Sequence, residues 1–247
     1  MRIASPAHAV FALTLIALGV SGLLQGDFAA IWQPVPKSLP GRETLAVSCA
    51  VIALATGLGL FWERSAVLAA RVLLGWLLLW LLLCKGRVVG LAPAQMASWE
   101  SVGETAVLIS AAGVLCTSDR AIRLARVVYG LALVAFGLAH LAYVQETAAL
   151  VPSWLPSPTA WVYFTGGTYI AAGVAVVADR LARLAATLSA VQIGLFTLLV
   201  WLPAIATGTG DAGQWSEAVL SWALTTAAWV VADAYRGQAW LALAKPR

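Results

Sequence analysis

Eight stretches of the chain are apolar for long enough to cross a lipid bilayer, and nothing else in the sequence restricts the fold as much. They fall at about 8–25, 44–62, 66–84, 99–117, 126–147, 159–178, 183–203 and 214–233. A hydrocarbon core of ~30 Å takes about 20 helical residues. With no water to satisfy backbone N–H and C=O groups, only helices and closed barrels span lipid. Runs such as Val72 to Cys84 lack the alternation of a barrel strand, so the expectation is an all-α, polytopic membrane protein of eight helices. The composition agrees: 62% of residues are hydrophobic and 11% charged, where a soluble domain carries roughly a quarter charged residues.

The chain also repeats itself, the feature that most affects how such helices are grouped. Val35-Pro36-Lys37-Ser38-Leu39-Pro40 returns 116 residues later as Val151-Pro152-Ser153-Trp154-Leu155-Pro156. The same shift carries Gly57 onto Gly173, Glu63-Arg64 onto Asp179-Arg180, Trp99 onto Trp215 and Arg120 onto Arg236. Before the loop the shift becomes 118, which pairs Gly19 with Gly137. The expected organisation is a first four-helix repeat over 1–118, a basic linker over 119–126, a second four-helix repeat over 127–236 and a tail over 237–247. An even number of helices per repeat makes the two copies parallel, unlike the inverted repeats of many transporters. Met1-Arg2 before an apolar run resembles a signal peptide, but alignment of that run with the fifth, deep in the chain, argues that it is retained.

Basic residues set the orientation. With the N-terminus in the cytoplasm, the inner side holds Arg2, Arg64, Arg71, Arg120, Arg123, Arg126, Arg180, Arg183, Arg236, Lys245 and Arg247, against Lys37, Arg42, Lys85 and Arg87 outside. Both termini are then cytoplasmic. The net charge of +4 is a topology signal, and no nucleic-acid partner is expected. The partner implied throughout is the lipid bilayer.

Pro34, Pro36 and Pro40 cannot continue a helix, so the first outer loop is expected to form a rigid cap with Trp32 at headgroup level. Glu63-Arg64-Ser65 and Asp179-Arg180 mark short inner turns, the acid and base capping or pairing with Arg71 or Arg183. Gly57, Gly59, Ala171, Ala172 and Gly173 would let helices approach closely. Lys85 to Ser98 is expected to be an outer segment.

Ionisable groups inside a span are costly and therefore candidates for function. His140 lies in the fifth span with Tyr143 three residues on, a spacing that shares a helix face. A neutral imidazole beside a phenol can bind a quinone carbonyl or pass a proton; a packing histidine is the alternative. Glu104 and Glu100 need a cation between them, supplied by Lys85 or Arg87, as an ion-pair cluster or a polar pocket mouth. Tyr163, Tyr169 and Gln192 are placed to point into the second bundle or simply to pack. Cys49, Cys84 and Cys116 form no CxxC motif; Cys49 and Cys84 fall towards the outer ends of neighbouring helices, leaving thiols or a disulfide open. No metal-ligand cluster is present, and two histidines at opposite ends of different spans, His8 and His140, cannot ligate one haem.

Gly137-Leu138-Ala139-His140, then Val151 to Pro156, then Trp161-Val162-Tyr163 and Thr165-Gly166, resembles the DoxX family of small four-helix membrane proteins. Their pattern reads Gly-x-x-His, Val-Pro-x-x-Leu-Pro and Val-Tyr-x-x-Gly. The likeness covers the second repeat to about Pro203. The first repeat keeps the proline loop but has Gly22 where His140 stands. Where the family pattern places a glutamate in the second helix, this chain has Tyr169, with Ala53 in the first repeat. The resemblance implies a membrane subunit or accessory of a quinone-linked or thiol-linked redox system in the bacterial inner membrane, with quinone as cofactor and a protein partner in a membrane redox complex. His140 and Tyr143 would then do the proton chemistry, with Trp161, Tyr163 and Tyr169 around the cofactor. A non-catalytic scaffold for a partner protein and a small-molecule carrier are the alternatives.

Overall fold

The computed structural model describes residues 5–206 and 210–243; Arg2, Lys245 and Arg247 of the basic count lie outside them. Within these residues the long helices are α1 (Pro6–Gln25), α2 (Arg42–Gly59), α3 (Glu63–Leu91), α4 (Met96–Leu115), α5 (Asp119–Ala142), α6 (Pro158–Val177), α7 (Ala182–Ala206) and α8 (Ala212–Asp233). Six of them, α1 to α3 and α5 to α7, are long and apolar enough to cross a membrane. The protein is all-helical and has the make-up of a multi-pass membrane protein.

Local signals set the helix ends. The Ser5 hydroxyl accepts the His8 N–H at 3.3 Å ahead of Pro6 at the first position of α1, and Gly26 closes that helix at φ 64°, where a side chain would be strained. Ser118 caps α5 by accepting the Ala121 N–H at 3.2 Å. Asp211 and Gln214 form a reciprocal capping box on α8.

Each long helix packs on the next in sequence, and α8 returns to α1, so the helices form a ring. α4 and α8 also touch across it. The ring is thereby pinched into two smaller ones that share α4 and α8, and these two are the best shielded. Thr105 through Leu115 of α4 are buried without a break. That position suits helices carrying Glu100, Glu104, Glu217 and several hydroxyl side chains, which lipid would not solvate.

The helix contacts are closest where glycines face each other. A Cβ on Gly57 would stand 2.8 Å from the Ala12 carbonyl oxygen of α1, and one on Gly137 would stand 2.5 Å from the Gly166 carbonyl oxygen of α6. Gly130 and Gly173 approach each other's backbone in the same way. The packing role expected of Gly57, Gly59 and Gly173 holds, whereas Ala171 is exposed.

Several expectations need correction. The basic stretch 119–126 is the opening of α5 rather than a free linker, because Ser118 starts the helix there. Lys85 to Leu91 are helical too: α3 continues through a π turn at Leu81–Lys85, which lets it reach Leu91 with Lys85 turned inwards. α7 contains a second π turn at Thr197–Trp201, starting 197 − 81 = 116 residues after the first. Trp32 is no headgroup anchor. It is 1% exposed, and its ring meets Trp80 edge-on at 5.3 Å, because its loop folds back over the bundle and is held by the Asp27–Arg42 pair at 2.7 Å. Among the described residues Arg183 pairs with neither Glu63 nor Asp179. It donates to the Gln238 carbonyl at 2.7 Å and lies 4.0 Å over the Trp240 ring, fastening the segment after α8 against the α6–α7 turn. All three cysteines are free thiols.

Candidate functional site

Between α6 and α7 a groove of about 670 Å³ runs from Leu150 and Trp154, in the loop before α6, to Leu181 and Leu184 at the opposite end of the pair. Its size is that of a small-molecule site. The walls are almost wholly apolar, so polar side chains in them stand out: Thr165 and Thr168 of α6, Ser189 and Gln192 of α7.

These groups are organised. The Gln192 amide donates to the Thr165 carbonyl at 3.0 Å and accepts from the Thr168 hydroxyl at 2.7 Å. The Tyr169 side chain lies beside it. Thr165 donates to the Trp161 carbonyl at 2.8 Å. A turn away, Ser189 lies 2.9 Å from the Tyr129 hydroxyl and donates to the Ala186 carbonyl at 3.0 Å. Gln192, Phe196 and Ser189 occupy one face of α7 by their spacing. α5 lies behind this face and contributes Tyr129 and His140.

His140 sits in the layer behind the groove. Its ring meets Tyr169 at 5.4 Å and Phe196 at 5.6 Å between centroids, both edge-to-face, while Tyr169 and Phe196 stack at 6.4 Å. Its Nδ1 is 2.8 Å from the Phe136 carbonyl oxygen, and its Nε2 is buried with no partner. Phe196 and Gln192 line the groove and separate it from the imidazole. Of the residues singled out in the sequence, His140 and Tyr169, which is 4% exposed, come together, while Trp161 lines the groove at the start of α6.

Two do not. α5 ends at Ala142, and Tyr143 takes φ −118°, ψ 52°, so the helical spacing that would align it with His140 is lost. Its hydroxyl instead accepts the Ala97 N–H at 3.1 Å at the start of α4. Tyr163 is 56% exposed and stands outside the groove; two residues along a helix turn a side chain about 200° from Trp161. Conversely, Phe196 and Thr168 carried no sequence signal apart from their spacing to Gln192 and Thr165.

A second polar assembly lies in the other half of the molecule. Lys85 is 1% exposed. Its ammonium donates to the Gln33 carbonyl and to the Ser101 hydroxyl, and lies 3.9 Å from the Glu104 carboxylate. The cation expected beside Glu104 is therefore Lys85, while Arg87 is exposed. The buried ammonium thus has two hydrogen bonds and a carboxylate beside it, which is the arrangement of a structural ion pair. At the end bearing the chain termini, His8, Arg123, Arg126 and Asp233 line a smaller crevice of about 380 Å³.

Residues 129–235 match the family model of a domain of unknown function, DUF8561. That region takes in α6, α7, α8 and most of α5, and so contains the whole groove. No curated protein and no solved structure matches the chain.

Proposed function

We propose that the protein is a DoxX-like bacterial inner-membrane protein in which all eight long helices cross the bilayer as two parallel four-helix repeats. It serves as a membrane subunit or accessory of a quinone-linked or thiol-linked redox system, and it binds a lipid-soluble ligand of the quinone class between α6 and α7. The observation that carries this reading is the groove itself. It is apolar along its length, and one hydrogen-bonded cluster about Gln192 leads to a histidine behind it.

The duplication is supported by the two π turns starting 116 residues apart and by glycine contacts in both the α1–α2 and α5–α6 pairs. Placing both termini in the cytoplasm is supported by Arg64, Arg120, Arg123, Arg180 and Arg236, which lie at or near the helix ends on the terminal side. In this reading Trp161 walls the groove, Tyr169 and Gln192 bridge it to His140, and His140 exchanges the proton. Tyr143 and Tyr163 serve the scaffold.

The test is to extract the protein in mild detergent with its native lipids and identify by mass spectrometry what stays bound. A quinone-class lipid that is lost from His140→Ala, or from Gln192→Leu, is the expected result. Recovery of a protein partner with no small molecule would overturn the ligand reading and leave a membrane scaffold.

A further inference from the structure

We infer that the groove between α6 and α7 takes its ligand through a phenolic hydroxyl donated to His140 Nε2, with Phe196 as the gate that the ligand's ring displaces. This rests on the groove being a ligand site and adds what the ligand's head must be.

The inference follows from hydrogen-bond directions. The Phe136 carbonyl can only accept, so His140 Nδ1, 2.8 Å away, carries the hydrogen. A neutral imidazole with its hydrogen on Nδ1 presents a lone pair at Nε2. That nitrogen is buried and has no partner, an arrangement that a donor would relieve. No neighbour supplies one. The Tyr169 ring meets the imidazole edge-on without its hydroxyl reaching Nε2, and the other ring against the imidazole, Phe196, has no donor.

All but one of the groove's own donors at this depth are committed as well, the exception being the second amide hydrogen of Gln192. Thr165 donates to the Trp161 carbonyl, Thr168 to Gln192, and Gln192 to the Thr165 carbonyl. A carbonyl-headed ligand would set its lone pairs against that of Nε2 and would find one uncommitted donor in the groove wall, the second amide hydrogen of Gln192. A hydroxyl-headed ligand matches. This reverses the expectation that the imidazole holds a quinone carbonyl.

The ring of such a ligand has a place to go. Phe196 stands between the groove and His140 and stacks on Tyr169 at 19° between ring planes. It immediately precedes the π turn at Thr197–Trp201, a local irregularity in the helix that often marks functional positions. An aromatic head that displaces Phe196 keeps the stacking on Tyr169 and brings its hydroxyl to Nε2. Proton transfer from the phenol to Nε2 would then give a phenolate and an imidazolium whose Nδ1–H still bonds Phe136.

The experiment uses the full chain in lipid nanodiscs, without oxygen, and three probes: decyl hydroquinone, the corresponding quinone, and the hydroquinone dimethyl ether. Quenching of tryptophan fluorescence reads binding, since Trp154 and Trp161 line the groove. The hydroquinone is expected to bind at least about tenfold tighter than either of the others, the factor one hydrogen bond to a buried unpaired acceptor gives. In His140→Ala that preference falls to about onefold. Phe196→Ala keeps the preference and binds faster. Equal binding of all three probes to the unaltered protein, or tighter binding of the quinone, overturns the hydroxyl assignment and leaves the groove standing. Failure of all three to bind overturns the groove reading itself. The comparison of probes on the unaltered chain decides the matter even if a variant does not fold.

Discussion

Replacing Gly137 by alanine should strike the contact on which the candidate site depends. The new Cβ would stand 2.5 Å from both the Gly166 carbonyl oxygen and Ile170 Cγ1, and 3.1 Å from the Ile170 nitrogen. Ordinary contact begins at 3.4 Å, so α6 must withdraw by 3.4 − 2.5 = 0.9 Å. Two of the three atoms belong to the backbone and cannot rotate aside. Overpacking of this kind costs about 1–3 kcal/mol, and a backbone clash belongs at about 3. Alanine favours an isolated helix over glycine by about 1 kcal/mol, which leaves a net loss of about 2 kcal/mol. For a chain of this size that is roughly 4–8 °C in Tm. Gly167, on the same helix as Gly166, has nothing within 4 Å of a Cβ and serves as the control. The assay is thermal unfolding of the detergent-solubilised protein, followed by the loss of its monodisperse peak. Gly167→Ala should equal or exceed the parent, whereas Gly137→Ala should fall below it. A Gly137→Ala protein as stable as Gly167→Ala would refute the claim that direct backbone contact holds α5 to α6.

Lys85→Met should destabilise by about 3 kcal/mol, the lower part of the range for breaking a buried pair, because it strands a Glu104 carboxylate that is 22% exposed. Adding Glu104→Gln should recover much of that Tm, and a double variant no better than the single one would show that the pair is not the cause. In the loop between α1 and α2, burial raises the Asp27 carboxyl, but the Phe28 N–H and Arg42 outweigh it and hold the group below the usual carboxylate range. A depressed folded value stabilises above the unfolded pKa of about 3.9 and is lost as pH falls through the folded value. Because Asp27 is 45% exposed, the contribution should be under about 1 kcal/mol, seen as a gap in Tm between the parent and Asp27→Asn that closes as pH falls below the unfolded value. Arg183→Ala should release the segment after α8, read as faster hydrogen exchange at the Leu181 N–H, which donates to the Ala242 carbonyl at 2.7 Å. Unchanged exchange would mean that the arginine does not fasten it.

The all-helical membrane architecture was written in the length of the apolar runs, because lipid leaves the backbone few alternatives. The helix starts at Pro6, Ser118 and Asp211 are local too, since a cap acts within three residues of itself, although the charge of 119–126 gave that stretch the look of a linker. His140 and Tyr169 could be named in advance because a polar group in an apolar run is conspicuous. Tyr143 and Tyr163 could not be judged in that way. The first depends on where α5 stops, and the second on which side of α6 faces α7, and in a helix apolar all round no periodicity reveals either.

What the sequence determined by itself is therefore the set of helices and the identity of the few polar groups they carry. The tertiary structure alone decided that Lys85 turns inwards through a π turn, that Trp32 folds under its loop, and that Gln192 and Phe196 stand between an apolar groove and His140. The reason is physical. Helix formation in an apolar medium is governed by each segment's own backbone hydrogen bonds, whereas a site is made where three helices meet, and that meeting is fixed by contacts as specific as a glycine against a carbonyl oxygen.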